Sequence, residues 1–172
     1  MDGEQDVTMD GGRAAAARGG LTREQALSRA AALCGSGERC SSQVMEKLSS
    51  WGVEGDDAAY VMGRLAAERF VDDERFCRAY CHDKFRYNRW GRVKLRQMLR
   101  RLRLESGAIE AGLAEIPEAE YRQALCEALR QKDRTLREED ACRRKGKLVR
   151  HLLSRGFEAE LVLDAVDDFL GL

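Results

Sequence analysis

The amino-acid sequence predicts an all-α protein, on three observations. Apolar residues recur at spacings of three and four along nearly the whole chain after residue 20, which is typical of amphipathic helices. No segment shows the sustained apolar-polar alternation, bounded by turn residues, that indicates a strand. Turn signals divide the 172 residues into nine helical segments, and the sequence contains a single proline.

The first 20 residues differ in composition from the rest of the chain. They contain five glycines, scattered acids and an alanine run, and they have little large apolar surface to bury. We therefore expect residues 1–20 to form a disordered Gly-rich N-terminal extension. A helix should follow, because Thr22 and Gln25 have the three-residue spacing of a capping box, and Gly35 should end it.

Two further helices are expected before residue 70. One runs from Ser41 or Ser42 to Trp51 and ends at Gly52, a residue suited to the left-handed position after a helix. The next follows Gly55, and its apolar face consists of Ala58, Val61, Met62 and Leu65.

The residues FVDDERF, from 70 to 76, indicate the start of a fourth helix. Asp72 is in place to cap this helix, and Val71 and Phe76 occupy the two positions of a hydrophobic staple. Capping therefore accounts for the acidic cluster, which we do not interpret as a magnesium site. The helix should continue through Tyr80 and Lys84.

The stretch from Lys84 to Leu104 contains nine Lys or Arg and no Asp or Glu. Its second half is a basic amphipathic helix, in which four apolar residues occupy one arc, namely Leu95, Met98, Leu99 and Leu102. A stripe of arginines should lie beside that arc, and like charges one turn apart repel each other. An anionic partner would relieve this repulsion. The five glutamates that follow, from Glu105 to Glu120, could instead screen the stripe from within the chain or simply solvate the next helix.

Four more helices complete the chain. A short helix carries Ile109 and Leu113 and is closed by Pro117. A longer helix starts at Glu118, another runs from about Glu138 to Arg155, and a last one follows. Their expected buried residues are Tyr121, Ala124, Leu125, Ala128 and Leu129, then Leu148, Val149, Leu152 and Leu153, and finally Leu161, Val162, Val166 and Phe169.

The chain repeats itself at offsets of 51 and 53 residues. Related triplets followed by glutamate begin at Trp51, Leu102 and Arg155. The same offsets align apolar positions in three sets, which are Val44 with Leu95 and Leu148, Leu48 with Leu99 and Leu152, and Met62 with Leu113 and Val166. We infer three tandem three-helix repeats, residues 21–70, 71–117 and 118–172, that stack into an elongated, curved body.

The repeat offsets also allow the surface charges of the three repeats to be compared. Arg92 and Lys94 correspond to Lys145 and Lys147 in the third repeat, but to Ser41 and Gln43 in the first. A cationic surface should therefore extend from the second repeat into the third and bind an anionic partner. The alternative is an ordinary solvated surface, although such surfaces usually mix signs. The predicted contact residues are Arg86, Arg89, Arg92, Lys94, Arg96, Arg100, Arg103, Lys145, Lys147 and Arg150.

Arg103 breaks the repeat, because it stands where the other two repeats have Gly52 and Gly156. A non-glycine residue in a left-handed cap costs on the order of 1 kcal/mol. Either the helix ends differently in the second repeat, or Arg103 is retained for contact with a partner.

Several classes of protein are disfavoured. No apolar run approaches the ~20 residues of a membrane span, and the N-terminal residues lack signal-peptide character, so we expect a cytoplasmic protein. We also expect it to be a monomer. Cys77 and Cys81 with His82 lack two further ligands at suitable spacing, so we interpret the cysteines as small buried hydrophobes and expect no metal or cofactor. We find no phosphate-binding glycine loop, no HExxH and no nucleophile with a base, and expect no catalytic residues.

The motif FVDDERFCRAYCHDKF, followed by WGRVKLRQMLRRLRLES, resembles the RecX family of recombinase regulators, as does KLVRHLLSRGFEAELVLDAV near the C-terminus. The resemblance covers residues 21 to 170. The family's central signature falls on Phe70, Asp72, Asp73, Phe76, Gly91 and Leu99, with Arg92, Val93 and Arg96 between them, and we expect it to be mainly structural. The chain departs from the family in its N-terminal extension and at Arg103, where the family usually has glycine.

The resemblance implies a non-catalytic protein that lodges in the groove of the RecA recombinase filament and restrains filament growth, ATP hydrolysis and strand exchange. An alternative from the residues themselves is direct binding of single- or double-stranded DNA. In that case the arginines would contact phosphates while Tyr87 and Trp90 stack on bases. Both aromatic residues could instead pack in the core or between repeats, which we favour.

Overall fold

The structure, a computed structural model, describes residues 21–171, and the predicted N-terminal extension lies outside them. Within this range the chain forms nine α-helices and no strand, which confirms the all-α prediction. The helices are α1 (Arg23–Gly35), α2 (Ser41–Ser50), α3 (Gly55–Ala67), α4 (Asp73–Asn88), α5 (Arg92–Arg101), α6 (Ser106–Ala114), α7 (Glu118–Thr135), α8 (Ala141–Ser154) and α9 (Ala159–Leu170).

Most helix starts follow the predicted signals. Thr22 and Gln25 form both bonds of a capping box, in which the Gln25 N–H donates to Thr22 Oγ1 and the Thr22 N–H donates to Gln25 Oε1. The start of α8 is the main error, because the helix begins at Ala141 and not near Glu138. The Asp140 carboxylate accepts the Arg143 N–H at 2.7 Å, so Asp140 is the cap that fixes this start.

The helices pack in two compact units, which divide at residue 72. In the first unit α1, α2 and α3 pack on one another around a core of Ala26, Ala30, Val44, Leu48, Val53, Ala58, Val61, Leu65 and Val71. In the second unit α4, α5 and α6 pack together, as do α7, α8 and α9. The repeat boundary at residue 117 lies inside this second unit, and the boundaries of the three repeats stay predictions.

Two of the three aligned sets of the repeat have the same burial, whereas in the third set Met62 is half-buried and Leu113 and Val166 are buried. Val44, Leu95 and Leu148 are fully buried, and so are Leu48, Leu99 and Leu152. The predicted apolar face of α7 is buried throughout. Two predictions at the C-terminal end are wrong, because Leu153 is 42% exposed and Phe169 is 40% exposed.

The second helix of each repeat ends through a residue in the left-handed conformation. The φ angles are +74° at Gly52, +57° at Arg103 and +88° at Gly156. The helix before Arg103 therefore ends as its counterparts do, which excludes the alternative that this helix ends differently. Arg103 is exposed, so its guanidinium is free to reach a partner while its backbone bears the strain.

Candidate interaction surface

The basic helix α5 is held by buried leucines and by its first turn. Leu95 and Leu99 fix one face in the core. At the N-terminus, the Gly91 N–H donates to the Arg155 carbonyl at 2.9 Å, and the Val93 N–H donates to the Gly156 carbonyl at 3.0 Å. Such first-turn donors have no partner within their own helix. The end of α8 thus supplies the acceptors that the start of α5 needs.

This junction depends on two glycines. A Cβ atom on Gly91 would lie 2.1 Å from the Gly156 oxygen, and a Cβ atom on Gly156 would lie 2.2 Å from the Lys94 Cβ. Real side chains do not approach that closely, so both positions need glycine for space. Gly91, which carries the family resemblance, therefore serves the packing of α5 against α8.

Tyr121 completes the junction from α7. Its hydroxyl accepts the Arg92 N–H at 2.9 Å and donates to Glu158 Oε2 at 2.5 Å. Its fully buried ring packs between Phe85 and Phe157, at centroid distances of 5.8 and 5.3 Å. Burial is the main reason that the pKa of Tyr121 is raised, so this residue stays a neutral hydrogen-bond donor.

The first two arginines of α5 are paired within the chain. Arg92 bonds Glu118 at 3.0 Å, and its guanidinium lies 4.1 Å from the centre of the Tyr121 ring. The Arg96 guanidinium donates two hydrogen bonds to the Glu110 carboxylate, at 2.6 and 2.8 Å. These bonds hold the pKa of each carboxyl group below its usual value, with Arg92 acting on Glu118 and Arg96 on Glu110.

The like-charge repulsion expected along the arginine stripe is therefore relieved within the chain for its first half. The glutamates after the basic stretch screen Arg92 and Arg96 from within the chain, which was one of the two interpretations left open. The run of glutamates after the basic stretch was the sequence feature that indicated these ion pairs. Periodicity does not say, however, which glutamate pairs with which arginine.

The other predicted contact residues divide into two groups. Arg89 pairs with Glu127, Lys145 with Asp167, and Lys147 with Glu138, while Lys94 lies over the Trp90 ring. Four predicted cations are exposed and form no ion pair with any of the described residues. These are Arg86, Arg100, Arg103 and Arg150.

The outer edge of α5 combines free cations with apolar surface. Val93 is 47% exposed beside Gln97, Arg100 and Arg101, and these residues line a shallow open depression with Arg96. Arginine next to apolar surface is typical of protein interfaces. We call Val93, Gln97, Arg100 and Arg101 the α5 edge.

The residues of the family signature are mostly structural. Phe76 is buried at the start of α4, and Leu99 is fully buried. Asp73 begins α4, and Asp72 pairs with Arg69 at 3.1 Å. Phe70 differs, because it is 37% exposed.

The cysteines of α4 are buried, as predicted. Burial raises the pKa of Cys81 to about 12, so its thiol is neutral and behaves as a small hydrophobe. No group of three or more His, Cys, Asp or Glu among residues 21–171 could hold a metal ion. In the same range, no helix has the length and apolar character that a membrane span requires.

The fold and the surface together define a class: an all-helical repeat protein with a firmly held basic helix, whose outer edge carries arginines that form no ion pair with residues 21–171. Comparison with known proteins narrows that class. Residues 72–113 match the family model for the second three-helix domain of RecX. The chain is 31% identical over 146 residues to the regulatory protein RecX of Prosthecochloris aestuarii, which covers 85% of this chain and 94% of the relative.

Two further proteins are similar. The regulatory protein RecX of Clostridium botulinum is 27% identical over 128 residues, covering 73% of this chain and 59% of that protein. The crystal structure of RecX from Lactobacillus salivarius superposes with a TM-score of 0.79 at 14% identity, over 87% of this chain and 96% of that one. The chain belongs to the RecX family, and the relatives from Prosthecochloris aestuarii and Clostridium botulinum are named regulatory proteins.

Proposed function

We propose that this protein is a non-catalytic regulator in DNA repair and recombination that binds the RecA recombinase filament and inhibits its ATPase, its extension and strand exchange. Membership of a family of regulatory proteins supports the regulatory role. The observation that carries the proposal is the α5 edge, where exposed arginines stand beside exposed apolar surface on a helix fixed by its neighbours. The protein acts in the cytoplasm as a monomer and without a cofactor.

The contact residues follow from the pairing pattern. Arg100, Arg101 and Arg103 are exposed, whereas Arg92 and Arg96 are held by Glu118 and Glu110. The exposed group can meet carboxylates of a partner without first breaking an internal ion pair. Arg92 and Arg96 therefore act as positioning residues, which tie α5 to α6 and to the start of α7.

The direct experiment measures ATP hydrolysis by the cognate recombinase on single-stranded DNA as purified protein is added. Inhibition at substoichiometric or equimolar protein is expected, and unchanged hydrolysis would remove the proposal. End capping and groove binding differ in stoichiometry, because a capping protein acts at a few molecules per filament.

A charge-reversed pair tests the α5 edge. The double variant Arg100→Glu and Arg101→Glu should keep the helical circular dichroism of the parent and lose at least tenfold in inhibitory potency, since charges that meet a partner are worth more than solvated ones. The matched control makes the same change of charge on α7, at the exposed Arg130 and Arg134. Equal loss in both variants would show that net charge, and not the α5 edge, governs inhibition.

A further inference from the structure

Aromatic rings and lysines alternate where α4 ends and α5 begins. Lys84 Nζ lies 5.7 Å from the ring centres of both Tyr80 and Trp90, and Lys94 Nζ lies 4.4 Å from the Trp90 centre. Tyr87 adds a ring that is 76% exposed. We call Tyr80, Lys84, Tyr87, Trp90 and Lys94 the aromatic-lysine ladder.

The ladder is centred on α4 and Trp90, outside the α5 edge. Tyr80, Lys84 and Tyr87 are spaced by four and three residues, so they share one face of α4. At 100° per residue, Lys94 lies about 100° around α5 from Val93 and about 120° from Arg100, but within about 20° of Arg101. A partner on the ladder would therefore approach a flank of α5 that Val93 and Arg100 do not present and that Arg101 borders.

The charges of the ladder favour an anionic partner. Among the described residues, neither Lys84 nor Lys94 has an ion pair with a carboxylate, in contrast to Arg92 and Arg96. The adjacent Asp83 lies on the same side of α4, 3.1 Å from the His82 ring nitrogen. The ladder thus offers two uncompensated ammonium groups with one carboxylate beside them.

We propose that the aromatic-lysine ladder binds single-stranded nucleic acid, with bases stacked on Tyr87 and Trp90 and phosphates at Lys84 and Lys94. Exposed rings interleaved with cations are what sequence-tolerant single-strand binding requires, because every base has a flat face and every nucleotide a phosphate. A duplex conceals its base faces in the stack. An acidic peptide would use the lysines alone and would leave the Tyr87 ring without a planar partner. This inference goes beyond the proposed function, since it needs no recombinase.

Trp90 gives a direct readout. The sequence contains two tryptophans, so the Trp51→Phe variant leaves Trp90 as the only one. Its fluorescence should be quenched when oligodeoxythymidylate is added, and the affinity should fall steeply with salt. An abasic oligonucleotide of the same length and a duplex should each bind at least tenfold more weakly. Polyglutamate should compete poorly. Equal affinity for the abasic strand, the duplex or polyglutamate would overturn the proposal, and so would binding without quenching.

Variants separate stacking from charge. Tyr87→Ala should weaken oligodeoxythymidylate binding about tenfold, whereas Tyr87→Phe, which keeps the ring, should bind within twofold of the parent. Asp83→Asn should strengthen binding, because it removes the carboxylate beside the ladder. The matched control is Tyr60→Ala, at an exposed tyrosine with Arg23 over its ring. An equal effect of Tyr60→Ala and Tyr87→Ala, or none of either, contradicts the assignment.

The same variants keep the two proposals apart. Tyr87→Ala should leave the affinity for recombinase in the absence of DNA unchanged, and the single variant Arg100→Glu should still show quenching of Trp90 fluorescence when oligodeoxythymidylate binds. Loss of both activities in both variants would contradict two separate surfaces.

Discussion

Replacing Gly91 by alanine should separate α5 from the end of α8. The φ of Gly91 is −76°, which alanine adopts without strain, so the whole effect is steric. The new Cβ would lie 2.1 Å from the Gly156 oxygen, 2.3 Å from its carbon and 2.4 Å from the Phe157 nitrogen. All three atoms are backbone and cannot swing aside, so the helices must move apart by about 1 Å or more to restore ordinary contact distances.

The cost follows from what that movement breaks. Overpacking a tight contact costs about 1–3 kcal/mol. Three hydrogen bonds at the start of α5, donated by the N–H groups of Gly91, Arg92 and Val93, lengthen with the movement, at about 1 kcal/mol each. We therefore expect Gly91→Ala to lower the free energy of unfolding by about 4–6 kcal/mol.

Denaturant unfolding, followed by Trp90 fluorescence in the Trp51→Phe background, measures this loss within the second unit. The control is Gly52→Ala, where a Cβ meets nothing within 4 Å but φ is +74°. Strain alone should cost that variant about 1 kcal/mol, measured by far-ultraviolet circular dichroism of the intact chain. If Gly91→Ala costs no more than Gly52→Ala, the close approach of Gly91 and Gly156 does not hold the junction.

Three further predictions rest on single contacts. Arg103→Gly should raise the free energy of unfolding by about 1 kcal/mol, seen as a higher denaturant midpoint at unchanged slope, and weaken inhibition of recombinase; the reverse change Gly52→Arg should cost a similar amount. Tyr121→Phe should cost about 2 kcal/mol in the same assay, because it leaves a half-buried N–H and a carboxylate without their shared hydroxyl. Glu110 has a pKa below its ordinary value of 4.5 because Arg96 bonds its charged form, so its contribution is complete above pH 4.5 and disappears as the pH falls through the lowered pKa. Glu110→Gln should therefore reduce stability at pH 7 by at most about 1 kcal/mol and flatten its decline between about pH 5 and 3.

Local patterns in the sequence were enough to predict the helices and their buried faces. The capping box at Thr22 and the apolar face of α7 follow from contacts within one or two turns, which periodicity records directly. The repeat offsets then predicted which buried positions are equivalent, since Leu95 and Leu148 are buried for the same reason as Val44.

Contacts between helices could not be predicted from the same local patterns. Tyr87 and Tyr121 both stand in amphipathic helices, yet one ring is exposed and the other is the most connected group of the junction. Neighbouring helices distinguish them, because Phe85, Arg92 and Phe157 cover the Tyr121 ring, whereas the Tyr87 ring is exposed. The pairing of Arg96 with Glu110 likewise depends on how α6 returns beside α5, which no spacing along the chain encodes.

The dependence of α5 on the end of α8 sets an order of events during synthesis. Gly156 is made 65 residues after Gly91, so at about 5–20 residues per second the start of α5 lacks its carbonyl acceptors for several seconds. The helix emerges with its first amides bonded to water, and its first turn becomes fixed only when Arg155 and Gly156 have been made. A ribosome that stalls before residue 155 would therefore hold a basic helix whose first turn is not anchored, and translation itself times the maturation of this surface.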